Sequence, residues 1–154
     1  MRAVDDAVLA VLRTSGIDVY DGGAKASPIT AAELDSEGRK LVPYKLPYLV
    51  YYSTIGDVAT ARLTGRRTRQ AVYFSLNFIG ADRNQAKWAG EAARALLEGQ
   101  RIPIPGHKSW LCRLDVSTRI FRDDDAVRPD GSPLFYGRDD YALSVTINPA
   151  GAIA

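Results

Sequence analysis

Apolar positions along this chain follow two periods, and the change from one to the other marks its elements. Val4, Ala7, Val8, Val11 and Leu12 recur at helical spacing, and Gly16 follows as a stop. Ile17-Asp18-Val19-Tyr20 alternates as a short strand, ended by Asp21-Gly22-Gly23. Pro47 to Ser53 is rich in β-branched and aromatic residues and reads as a strand. Gln70 to Ile79 is the cleanest strand: Val72, Phe74, Leu76 and Phe78 share one face, and Ala71, Tyr73, Ser75 and Asn77 the other.

The period then returns to 3.6. Asp82 stands where an N-cap belongs, with Gln85 as its capping-box partner. Ala86, Ala89, Ala93 and Leu96 form the predicted buried stripe, flanked by Trp88 and Leu97, and Gly99 supplies the stop. Alternate prolines in Ile102-Pro103-Ile104-Pro105-Gly106 make an extended connector. Trp110, Cys112, Leu114, Val116, Thr118 and Ile120 then alternate as one long strand. Asp123 to Gly137 reads as a turn region centred on Arg128 to Pro133, and Tyr141, Leu143, Val145 and Ile147 as a last strand.

The order is helix, strands, helix, strands, with connections suited to antiparallel pairing. The expectation is an α+β domain: an antiparallel four- to five-stranded sheet with two main helices packed on one face. One domain is expected over 1–148, with a loose tail at 149–154. Residues 21 to 46 carry Gly22, Gly23, Ser27, Pro28, Gly38 and Pro43 and read as a long loop or arm; Ile29 to Leu34 reads as a single helical turn inside it.

Composition narrows the chemistry. Lys and Arg total 20 and Asp and Glu 18, a net charge of +2, too even to name a nucleic-acid or membrane partner. The opening residues lack the basic start and apolar run of an export signal, and no stretch reaches the roughly 20 apolar residues of a membrane helix. The expectation is a soluble, intracellular chain. Cys112, the one cysteine, excludes an internal disulfide and a multi-cysteine zinc site; on an apolar strand face it reads as a small buried hydrophobe. His107, the one histidine, has no second ligand at metal spacing and reads as a surface polar residue. Gly65 to Thr68 lacks the second glycine and the ending of a phosphate loop, and Asp123 to Gly131 lacks the ligand spacing of a calcium loop. No nucleophile–base pair stands out, so no enzyme, cofactor or metal is expected.

Two features remain. The connection from Asp57 to Arg69 carries Arg62, Arg66, Arg67 and Arg69 against one acid. It reads either as a projecting basic hairpin for carboxylates, phosphates or a protein surface, or as a solvated hairpin guarding a sheet edge. Tyr73, and one or more of Tyr48, Tyr51 and Tyr52, must face away from the core or lie under the helices.

The layout resembles the tail terminator proteins of long-tailed bacteriophages, over roughly residues 3 to 148. The resemblance is carried by an N-terminal helix leading to Tyr48-Leu49-Val50-Tyr51-Tyr52 and by an arginine-bearing hairpin before Val72 to Gly80. It continues through the helix start Asp82-Arg83-Asn84-Gln85-Ala86-Lys87-Trp88 and the ending Arg122-Asp123-Asp124-Asp125 … Pro133 to Gly137 … Tyr141-Ala142-Leu143. It implies a structural protein that closes as a homohexameric ring on the tail tube at the virion's head–tail junction, ends tube growth and joins the head. The implied partners are copies of itself, the tail tube protein, and a head-to-tail connector or stopper, with DNA only as passing cargo and no membrane. By that analogy Arg62, Arg66, Arg67, Arg69 and Tyr73 are the tube or subunit contacts. Alternatives are another neck component, a nucleic-acid-binding module using the 57–69 stretch, or a small enzyme using Asp or Tyr residues.

Overall fold

The computed structural model describes residues 2–22, 34–53 and 69–146. The elements run α1 (Arg2–Arg13), β1 (Asp18–Asp21), β2 (Lys40–Leu41), β3 (Tyr48–Ser53), β4 (Arg69–Gly80), α2 (Arg83–Leu97), β5 (Arg113–Ser117), β6 (Phe121–Val127) and β7 (Pro133–Thr146).

The seven strands form one sheet in the order β1-β3-β4-β7-β6-β2, with β5 also paired to β7. This overturns the expected antiparallel four- to five-stranded sheet. The sheet is mixed and curled: β1 runs parallel to β3, and β2 parallel to β6. Both parallel strands are very short pieces of chain that reach the sheet over long crossings, and hairpin-style connections predict neither.

The third quarter of the chain also departs from expectation. The long strand expected over 110–120 shrinks to Arg113–Ser117, because a register shift between Leu114 and Val116 breaks its alternation and leaves Val116 exposed. The expected turn over 123–137 is mostly strand. Only Arg128 to Ser132 turns, and β7 starts at Pro133. Between the pairs Asp123↔Leu134 and Val127↔Pro133, β6 carries three extra residues, and its end pairs with β2 instead. Residues read as an arm thus include an edge strand: Lys40 and Leu41 lie beside Ala126 and Val127, and Val42 is buried. The expected helical turn at 29–34 lies outside the described residues except for Leu34, which bridges Lys40.

Two apolar clusters sit on opposite faces of the sheet. The larger joins Val4, Val8 and Leu12 of α1 and Ala86, Ala89 and Ala93 of α2 to Val72, Phe74, Leu76 and Phe78 of β4. The Phe74 ring lies between Tyr51 and Tyr141, with centroids 5.4 and 5.3 Å away. Close approach of α2 depends on small residues. A Cβ at Gly80 would fall 2.5 Å from the Ala86 nitrogen, and one at Gly90 of α2 3.0 Å from the Phe78 ring. The stripe of α2 ends on Leu97 rather than Leu96, and Trp88 faces solvent.

The α2 cap is as its sequence signals: Asp82 accepts from the Gln85 nitrogen at 2.7 Å. Gln85 reaches back one residue further than a standard capping box, to the Ala81 nitrogen at 2.7 Å. Each helix is also tethered to the sheet through a carboxylate. Tyr51 donates to Asp5 of α1 at 2.6 Å, and Arg94 of α2 forks onto Asp139 of β7 at 2.7 and 2.9 Å. Asp139 is fully buried and takes the Ser117 hydroxyl as well, so its charge is compensated by a bidentate guanidinium and a hydroxyl.

The second cluster lies on the other face, built from Val42, Tyr48, Val50, Ile79, Ala126 and Leu134, with Tyr20, Tyr44, Tyr52 and Tyr136 packed around it. Among the described residues no helix is long and apolar enough to cross a membrane.

Candidate interface surfaces

Strand alternation sends Val72 and Phe74 under the helices and Tyr73 to the opposite face. There Tyr73 lies across from Ala142, which in turn pairs with Arg113 of β5; Ala71 lies across from Ser144. Trp110 and Leu111 edge the same depression, of about 730 Å³. Tyr73 is 37% exposed, Trp110 41% and Leu111 53%, so three large apolar side chains stand open around this depression at this end of the sheet, with Glu98 and Arg113 also in its lining. The tyrosine cluster covers the other end. Between the two stands a polar triad: Ser75 donates to Asp140 at 2.7 Å, Arg138 donates to the same carboxylate at 2.8 Å and to Ser75 at 3.0 Å. Burial works against ionisation of Asp140, but the Ser75 hydroxyl and the Arg138 guanidinium outweigh it and hold its pKa below the ordinary value.

Tyr73 therefore stands on an uncovered face. Arg69 opens β4 opposite Thr146, at the same end of the sheet as Tyr73. Arg62, Arg66 and Arg67 lie outside the described residues.

A second surface lies on the helix side. Arg83 and Lys87 of α2, with Arg119 and Arg122 from the β5–β6 connection and β6, line a groove of about 660 Å³ over Phe78, Ile120 and Phe121. The Arg83 guanidinium sits 5.8 Å from the Phe135 ring centre and that of Arg119 5.2 Å from Phe121. Lys87 has Glu91 at 3.9 Å; among the described residues Arg83, Arg119 and Arg122 show no carboxylate partner. On the outer side of α2, about 200° round the helix from buried Ala86, Trp88 is 55% exposed. Sequence reading missed this groove. Arg119 falls in the expected 110–120 strand and Arg122 just before the expected turn, and no local pattern brings either to Arg83 and Lys87.

The single cysteine and histidine play structural parts here. Cys112 is buried in the larger cluster, and burial pushes its thiol up to about 12, so it stays protonated at neutral pH. His107 is half-buried, its Nδ1 2.9 Å from the Thr146 carbonyl. Among the described residues no three His, Cys, Asp or Glu side chains converge as a metal site.

No protein-family model matches the chain, and no curated protein matches it. Two of the solved structures that align with the chain are the following. One is a chain of the virion of a native gene transfer agent particle, 18% identical, with a TM-score of 0.48, covering 92% of this chain and 84% of that one. The other is 16% identical, with a TM-score of 0.47, covering 96% and 91%.

Proposed function

We propose that this chain is a non-enzymatic structural subunit of a phage-like virion, a tail terminator that closes into a ring on the end of the tail tube. One observation carries the reading. Two unlike surfaces stand on opposite sides of one sheet: the apolar Tyr73–Trp110–Leu111 surface on the open face, and Trp88 with the basic groove on the helix side. Unlike surfaces on opposite sides of a protomer suit head-to-tail contacts, which make a ring when the rotation closes. The sequence resemblance to tail terminators supplies the tube and the head–tail junction as the place where such a ring acts. Arg62, Arg66 and Arg67, from the connection between β3 and β4, and Arg69 at the start of β4 are assigned to tube or neighbour contact, with Tyr73 in the subunit interface.

Electron microscopy of the purified protein with tail tubes tests this. Rings at tube ends are expected. A monomer indifferent to tubes overturns the reading. Replacing the four arginines by alanine should abolish capping and leave the monomer folded.

The basic groove favours a second reading, nucleic-acid binding. It calls for DNA affinity that falls steeply with salt and is lost in the Arg119→Ala/Arg122→Ala variant.

A further inference from the structure

The tyrosine cluster is incompletely filled. Tyr44, Tyr48, Tyr52 and Tyr136 surround a cavity of about 170 Å³ whose floor is Val50, Asn77, Ile79 and Leu134. Two acceptors belong to it. The Asn77 Oδ1 is shut off from solvent and, among the described residues, has no hydrogen-bond partner. The Asp123 carboxylate lines it too; its Oδ1 takes the Asp125 nitrogen at 2.9 Å, and among the described residues its Oδ2 accepts no hydrogen bond. Lys40 is the one cationic residue of the lining, and it lies exposed at the mouth. Aromatic faces, a carboxylate and an orphaned amide oxygen all favour the same ligand charge.

We infer that this cavity is a socket for an organic cation: the guanidinium or ammonium head of an arginine or lysine side chain or of a free amine. Its size suits one such head. The tyrosine rings surround the charge, Asp123 balances it, and the Asn77 side chain, turned toward the cavity, accepts an N–H of the ligand. Lys40 at the mouth repels the incoming cation and sets a modest affinity. The site is independent of the ring reading.

The test is an NMR titration of the full chain with methylguanidinium chloride, against sodium chloride of matched strength and against N-methylurea, a neutral compound of the same shape. Saturable shifts are expected at the Tyr48, Tyr52 and Tyr136 rings and the Asn77 side-chain amide with methylguanidinium alone. Asp123→Asn should weaken binding at least fivefold, Asp124→Asn on the same strand should leave it nearly unchanged, and Lys40→Gln should tighten it. No saturable shift, equal binding of N-methylurea, or indifference to Asp123→Asn overturns the socket. Raising the protein concentration separates the sources. The same shifts without ligand point to a side chain of a second copy, and their absence to a separate amine or another protein.

Discussion

The two faces of the sheet use aromatic residues in opposite ways. Under the helices, Phe74 is fully buried, stacked on Tyr141 and tilted against Tyr51, and the tyrosine hydroxyls are turned inward onto Asp5 and Asp139. On the other face Tyr73 and Trp110 stand half-open, and the remaining tyrosines ring a cavity. The first arrangement removes apolar area from water and stabilises the monomer at roughly 25 cal/mol per Å². The second buries Tyr48, Val50, Ile79 and Leu134 at one end of the sheet and leaves Tyr73 and Trp110 partly in water at the other. The parity of β4 divides the two faces: even residues from 72 to 78 pack under the helices, and Tyr73 stands 37% exposed on the opposite side.

That separation is open to attack, beginning with its largest effect. Phe74→Ala removes the middle ring of the stack and should cost about 3–5 kcal/mol in urea unfolding. A loss below about 1 kcal/mol breaks the assignment of this face to stability. Asp139→Asn keeps the shape but strips the Arg94 guanidinium of its counter-charge. Because Arg94 retains some access to water, the expected loss is about 2 kcal/mol, with the end of α2 exchanging its amide hydrogens faster. Tyr73→Ser with Trp110→Ser should cost about 1 kcal/mol or less in unfolding while removing self-association on a sizing column. If that pair unfolds the monomer, the open face is part of the core after all.

The smallest effect is acid-dependent. The folded pKa of Asp140 is lowered, so its stabilisation is present above the unfolded carboxylate value of about 3.9 and is lost as pH falls through the lower folded value. Asp140→Asn should lower neutral stability slightly, and the deficit should close below about pH 4, which flattens the acid side of the stability–pH curve.

How much of this was legible in the sequence follows from what each residue's period reports. Both helices and β3, β4 and the end of β7 lie where their periodicity puts them, because each buries one continuous face. Asp82 and Gln85 identify the start of α2 without tertiary information. Strands β1 and β2 sit at the edges of the sheet, and β2 spans only two residues, so alternation has too little length to reveal its parallel partner. The Asp123-Asp124-Asp125 run was read as a turn because charge dominates it. It is a bulged strand next to a sheet edge, where carboxylates can point to water while the backbone pairs. Alternation puts Tyr73 on the face opposite Val72 and Phe74 but does not say which face the helices cover. Arg83, Arg119 and Arg122 come together only because the β5–β6 connection passes α2, and no local pattern signals that approach.

The central claim is that opposite sides of one protomer carry two different surfaces that meet head to tail. Sedimentation of two variants, alone and mixed, tests it most directly. Tyr73→Ser/Trp110→Ser disables the open face, and Trp88→Ser/Arg119→Glu/Arg122→Glu disables the helix side. The native chain should form a closed oligomer and each variant alone a monomer. The equimolar mixture retains one good surface of each kind and should stop at heterodimers. A mixture that stays monomeric, or a native chain that forms only a two-fold dimer through one surface, would contradict the account.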